Sequence, residues 1–282
     1  MTLRISSHGT AMSGASQLAR LQQGLASSLS RMGSGLQIEK AADDPAGLTL
    51  SNHLFSQARG FGQAMRNASD AVSLAQVAEG GLAGIGATLH GIREKVLQAG
   101  SAGQSPESRV AIQSDIRAAV RAVDDIAANT RFTNQPLLSG AFTDQAFQVG
   151  IRPGETVRFS IGAVNSENLG HPDLGFLADI DVRSAEGTEK AIAVVEAAMG
   201  QVNDSRASLG STYRQLESSV RSTAAARVQS MASASSMRDV DFAAESMNMN
   251  RMKNLMHASL FAQVQGGANR ENVLSLLMPG VG

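Results

Sequence analysis

From Leu54 onward every seventh residue is apolar or small: Leu54, Phe61, Ala68, Ala75, Leu82, Leu89 and Val96. A strict seven-residue repeat keeps one seam of a helix turned toward a partner helix over a long distance. A matching stripe returns far downstream through Ile192, Val195, Met199, Val202, Leu209, Tyr213, Leu216 and Val220. Near the start, Leu18, Leu21, Leu25, Leu29, Met32 and Leu36 recur at three- and four-residue steps, which predicts an amphipathic helix. A last helical segment, Met247 to Leu277, is similarly poor in charge.

The punctuation between these stripes is specific. Asp43-Asp44-Pro45 places an acid to cap and a proline at the first helical position, so a helix is expected from Pro45 to about Gln98. Gly80, Gly81, Gly84, Gly86 and Gly91 soften it, each costing roughly 1 kcal/mol against alanine in an exposed helix. Ser105-Pro106-Glu107 opens a third helix, whose buried stripe is Ile112, Ile116, Val120, Val123 and Ala127. At Asn134 the period changes. Phe147, Val149 and Ile151 alternate, Arg152-Pro153-Gly154-Glu155 supplies a turn, and Val157, Phe159 and Ile161 alternate again, the pattern of a β-hairpin. Residues 162–185 read as loop, and helix returns from about Thr188 to Val228. The serine-alanine stretch Ser230–Ser236 is expected to separate it from the last helical segment, and the polar residues 1–12 are expected to be disordered before assembly. The predicted fold class is mainly α: an elongated antiparallel helical coiled-coil bundle built from both chain ends, with a small β-hairpin region in the middle.

Composition narrows the function. Aromatics are 4 % and tryptophan is absent, so alanine, glycine and methionine fill the interior, which suits close helix packing more than a substrate pocket. A formal net charge of −1 argues against nucleic acid as the main partner. No run of 18 apolar residues occurs, so no membrane span is expected, and the first residues lack the apolar stretch of a secretory signal. Cysteine is absent, which removes disulfides and cysteine-based metal sites. The five histidines are scattered; His90 and Glu94 share a helix spacing without a third ligand. The Asp43–Asp44 pair reads as a cap, and no nucleophile elbow, phosphate loop or zinc motif occurs. Neither an enzyme nor a cofactor is expected.

Together these features resemble bacterial flagellin, the subunit of the flagellar filament. The first half carries Ser34-Gly35-Leu36, Asp43-Asp44-Pro45-Ala46-Gly47, Arg66-Asn67-Ala68 with Asp70, Gln76 with Glu79-Gly80, and Arg93-Glu94. The second half carries Arg206 with Leu209-Gly210, Met237 through Ala243, and the closing Asn272-Val273-Leu274-Ser275-Leu276-Leu277. The resemblance implies an inner coiled-coil domain from residues 1–44 and 236–282, and an outer helical rod domain over 45–235 that includes a β-hairpin region at about 134–185. The bulky outer domains of many relatives look absent. It also implies a structural subunit, secreted by the flagellar type III export path to an extracellular filament that serves swimming motility. Implied partners are copies of itself, a flagellar export chaperone, and the hook-associated junction and cap proteins.

An apolar terminal helix left in water is poorly stable, so the ends are expected to fold on assembly. Leu18, Leu21, Leu25, Leu29, Leu260, Val273, Leu274, Leu276 and Leu277 are the expected subunit-interface residues. Non-closing contacts between identical subunits give an open helical filament. Two rivals stand beside this reading. The hook–filament junction protein has similar helical ends, but the closing Asn-Val-Leu-Ser-Leu-Leu favours flagellin; a secreted surface adhesin on a helical scaffold would need a larger middle domain. Finally, the resemblance points to the vertebrate toll-like receptor that recognises flagellin, which reads the face around the Arg-Glu pair. The positions there are Gly91, Arg93, Lys95 and Asp115, where strongly stimulating relatives have Arg, Leu and Glu in place of Gly91, Lys95 and Asp115. A weak or silent response is the expectation.

Overall fold

The computed structural model describes residues 2–277, with side-chain surroundings for residues 12–269. Helix starts follow the capping chemistry of the sequence. Asp44 Oδ1 accepts hydrogen bonds from the backbone N–H groups of Ala46 (3.0 Å) and Gly47 (2.9 Å), and Pro45 opens the second helix. Asp43 Oδ2 accepts from the N–H groups of Glu39 (3.1 Å) and Lys40 (2.9 Å), so both acids of the pair serve the backbone. Ser105 Oγ accepts from Ser108 N at 3.2 Å and starts the third. The helices are α1 (Thr2–Ser34), α2 (Pro45–Ala99), α3 (Pro106–Asn129), α4 (Ala185–Arg238) and α5 (Phe242–Leu277).

Three boundaries differ from the sequence expectation. The helical backbone of α1 begins at Thr2, well ahead of the first leucine of its stripe. The serine-alanine stretch does not interrupt α4, which runs through it to Arg238. Serine hydroxyls there bond back to the helix, Ser236 Oγ donating to Ser233 O at 3.0 Å, and Ala234 is fully buried, so the run packs as helix. The break falls instead after Arg238, where Asp241 Oδ1 accepts from Ala243 N (2.9 Å) and Ala244 N (3.1 Å) and caps α5 ahead of Met247.

The chain divides into two compact units. One is Gln57–Gln229; the other joins the residues up to Ser56 with those from Ser230 onward. In the first, α2 presents two rows. Ala68, Ala75, Leu82, Leu89 and Val96 are buried as the heptad pattern requires. A second row three residues further on, Ala71, Ala78, Ile85, Ile92 and Ala99, is buried as deeply and completes the alternating three-four spacing of a helix seam. On α4 the corresponding buried positions are Ala191, Val195, Ala198, Val202, Leu209 and Leu216. They share one core with Ile116 and Val123 of α3 and with Leu137, Leu138, Phe142, Val157, Phe159 and Ile161 of the middle segment. Burying each large aliphatic side chain contributes roughly 1.5–3 kcal/mol.

The middle segment holds three antiparallel pairs: β1 (Arg131–Phe132) with β2 (Gln135–Pro136), β3 (Gln145–Gln148) with β4 (Thr156–Phe159), and β5 (Gly170–His171) with β6 (Gly175–Phe176). The β3–β4 hairpin has the expected alternation: Phe147 pairs with Val157, Val157 and Phe159 are buried, and Arg158 between them is exposed. Phe159 packs between Phe142 (centroids 5.2 Å apart) and Phe147 (5.3 Å). The segment read as loop over 162–185 contains β5, β6 and a 3-10 turn at Leu177–Asp179, and it buries Leu169, Leu177, Ile180 and Val182. Two glutamines hold it down by imitating a backbone amide. Buried Gln113 donates from Nε2 to Ile180 O (2.7 Å) and accepts at Oε1 from Val182 N (2.8 Å). Gln201 donates to Gly170 O (2.9 Å) and accepts from Gly170 N (3.0 Å).

Candidate assembly surface

The second unit is built on the pairing of α1 with α5. The two run antiparallel, Gly24 lying against Met252 and Gly14 against Gln263. Their inner ends are tied by backbone bonds between the two connectors, Gln37 N to Arg238 O (2.7 Å) and Val240 N to Gly35 O (2.9 Å). Gly35 carries φ +73°, the left-handed conformation that ends a helix most easily at glycine. One ion pair reinforces the junction: Arg31 Nη2 and Nε donate to Glu245 Oε1 at 2.7 and 3.1 Å. Glu245 is only 8 % exposed. The neighbouring Ser28 hydroxyl first, and then the Arg31 guanidinium, hold its carboxyl below the usual carboxylate range.

Leu21 is buried and Leu18 and Leu25 are half-buried, on one stripe of α1 with fully buried Ser28. Leu29 and Leu260 point outward into solvent. The side chains of Val273, Leu274, Leu276 and Leu277 lie outside the described residues. Sequence reading missed the inner row of α5, Glu245, Met249, Met252, Met256 and Ser259, which repeats at four- and three-residue steps but mixes a charge and a hydroxyl among methionines. It also missed most of the outward apolar set. Phe261 (71 % exposed), Val264 (72 %), Met247 (65 %), Phe242 and Leu255 all lie on α5, and Met12 on α1. Runs of exposed large apolar side chains mark surfaces that bind protein or lipid. Among the described residues no helix is long and apolar enough to cross a membrane, and no group of three acid or histidine side chains could hold a metal ion.

In the unit Gln57–Gln229, the expected receptor-face positions Gly91, Arg93 and Lys95 lie on α2 and Asp115 on α3, and their ion pairs point Lys95 toward α3 and Arg93 toward α4. Lys95 Nζ meets Asp115 Oδ2 at 2.7 Å, Arg93 Nη2 meets Glu196 Oε1 of α4 at 3.1 Å, and Gly91 is exposed with open space where a side chain would stand.

Residues 5–143 match the family described as bacterial flagellin N-terminal helical region, and residues 192–277 match the bacterial flagellin C-terminal helical region. Flagellin FlaB2 of Treponema pallidum is 30 % identical over 259 residues, covering 88 % of this chain and 91 % of that protein. The chain belongs to the flagellin family. The flagellar filament 31.3 kDa core protein of Treponema maltophilum is 28 % identical over 262 residues, covering 89 % of this chain and 92 % of that protein. Flagellin B of Helicobacter pylori is 39 % identical over 171 residues, but the match spans 61 % of this chain and only 33 % of that longer protein. Among solved structures, a chain assigned as a flagellar hook-associated protein from Vibrio parahaemolyticus superposes with a TM-score of 0.62 at 12 % identity, covering 70 % of this chain and all of that one, a likeness of fold.

Proposed function

We propose that this flagellin-family chain is a structural subunit that polymerises with copies of itself into a bacterial flagellar filament, outside the cell, in the service of swimming motility. The observation that carries this reading is the outward apolar face of α5, where Phe261 and Val264 are more than two-thirds exposed on a helix whose inner side is already taken by α1. Charge on that face is sparse, so water is a poor partner for it, and a second copy offers the same apolar surface in return. Leu18, Leu21, Leu25, Leu29, Leu260, Val273, Leu274, Leu276 and Leu277 act at or beneath this interface. In this reading residues 1–44 and 236–282 are the assembling domain, and 45–235 a second, helical rod domain. Handling by an export chaperone, and docking to hook-associated junction and cap proteins, fit a subunit delivered unfolded and added at a tip. Its role is mechanical and not catalytic. Incubating purified protein with sheared filament seeds and following length by electron microscopy tests the reading: the seeds should lengthen, and seeds that stay constant at high subunit concentration would overturn it.

The receptor-facing positions support a weak innate response. Lys95 and Asp115 are occupied with each other and Arg93 with Glu196, so a receptor must break these pairs to use them, and Gly91 offers no side chain. Arginine and apolar anchors can each contribute about 2 kcal/mol or more to such interfaces. In a reporter-cell assay with purified monomer, activity equal to that of a strongly stimulating flagellin at the same concentration would rule this out.

A further inference from the structure

The chain's sulfur is unevenly distributed. Of its 12 methionines, only Met65 and Met199 fall within Gln57–Gln229. Met249, Met252 and Met256 line the inner side of α5 at alternating three- and four-residue steps, and each is half-buried. Gly24 of α1 receives the middle one so closely that a Cβ built there would stand 2.8 Å from Met252 Sδ. Cysteine and tryptophan are absent and there is a single tyrosine, so methionine thioethers are the most oxidisable groups of the chain. Among the described residues Met12, Met231, Met237 and Met247 are the exposed ones, and Met249, Met252 and Met256 are the ones set in a helix seam.

We infer that Met249, Met252 and Met256 form an oxidation site that controls whether α1 and α5 can pair. The reactant is hydrogen peroxide. The thioether sulfur attacks one peroxide oxygen, the O–O bond breaks as the S–O bond forms, and the departing oxygen leaves as water after proton transfer; sulfur loses two electrons and peroxide gains them. The product sulfoxide is polar and larger than the thioether. Met252 sulfur lies close against Gly24, so an oxygen added on the side toward α1 forces the side chain to move away from that contact. At all three half-buried positions a sulfoxide turned into the seam gives up part of its hydrogen bonding to water, and one turned outward gives up its packing against α1. The inference rests on the assembly reading only for its consequence, that an oxidised subunit cannot join a filament; the loosening of the seam stands by itself. Oxidation of unassembled chain is therefore the sensitive step. Repair by a methionine sulfoxide reductase, which returns the thioether, reverses it.

The test treats the unassembled full chain with hydrogen peroxide, maps sulfoxides by mass spectrometry, and reads two quantities. One is helix content by circular dichroism in concentrated ammonium sulfate, which strengthens apolar burial; the other is the rate of elongation on untreated seeds. Sulfoxides at the three positions should lower the helix content and slow elongation at least tenfold, with both restored by the reductase. M249L/M252L/M256L, which keeps side-chain volume, should retain both properties after the same treatment, and M252L alone should retain them in part. Full modification of the three methionines with unchanged helix content would overturn the inference. So would protection by M12L/M247L, at the exposed positions, in place of the seam variants. Untreated chain that shows the helix response but never elongates seeds would instead sink the assembly reading and leave the seam inference standing.

Discussion

The two units spend their apolar residues in opposite ways. In Gln57–Gln229, Leu82, Ile85, Leu89, Ile92 and Val96 are all fully buried within a core that also takes in α3, α4 and the hairpin. Among the described residues of the unit of the two chain ends, the buried hydrophobic ones are Leu21, Ile38 and Ala234, joined by the polar Ser28, Ser51 and Glu245, while Phe261, Val264 and Met247 stand in solvent. Helical propensity is not the difference, since both units are built on long helices. What differs is how many sides of each helix find cover inside the same chain. A helix pair covers one stripe of each member, and three helices with a hairpin cover far more. The first unit contains the conditions of its own stability; the second contains half of them.

The strongest way to break this contrast is to charge the outward face. L260D/F261D should abolish seed elongation, because assembly would bury unpaired carboxylates, while denaturant unfolding of Gln57–Gln229 stays unchanged. Normal elongation would show that the face is not at an interface. Limited proteolysis of unassembled chain should trim residues before about Ser56 and after about Ser230 well ahead of the rest, and assembly should remove the difference. Equal resistance of the ends in both states would erase the contrast. In the self-sufficient unit, Leu89→Ala should lower stability by about 3 kcal/mol in urea denaturation, the cost of an unfilled space in a closed core. The same substitution at half-covered Leu25 should cost clearly less.

Smaller effects sharpen the picture electrostatically. Arg31→Met strands a nearly buried carboxylate and should weaken the α1–α5 pairing by about 1–2 kcal/mol, read from the thermal stability of assembled protein. Glu245 has a folded pKa below its ordinary 4.5, so its contribution is complete above that value and fades as pH falls through the lower folded one. Acidification from pH 5 to 3 should therefore loosen the terminal unit, and E245Q should flatten that pH dependence. Asp181, lowered to about 2 chiefly by its hydrogen bonds with the Arg183 side chain, follows the same sign in the other unit, with its loss displaced to still lower pH. Both residues of that pair are substantially exposed, so D181N should change stability by well under 1 kcal/mol.

Much of this was legible in the sequence because the chemistry was local. Asp44-Pro45 and Ser105-Pro106 specify their helix starts through groups two or three residues away, and Phe147 with Val157 through simple alternation. The misread places lack a period or depend on distant partners. Ser230–Ser236 carries no apolar period, so its continuation of α4, with only Ala234 buried, left no stripe to read; the two-residue strand pairs are too short to show a period, and the clasp of Gln113 on Ile180 and Val182 spans 67 and 69 residues. For the candidate surface, periodicity located the leucine stripe of α1. It could not tell which apolar residues meet α5 and which stay bare. A stripe records that a helix has a covered side, and the sequence does not say whether the cover comes from the same molecule.

The link between Arg31 and Glu245 joins residues 214 positions apart. As the chain leaves a ribosome, α1 emerges well before α5, and most of the polypeptide between them is made before its partner exists. Closing so long a loop carries an entropic penalty that grows only slowly with length, so the delay is one of timing more than of energy. During that interval the amino-terminal helix lacks the partner it has in the finished unit. The order in which the two ends become available thus acts as a clock, set by chain length and independent of any single contact.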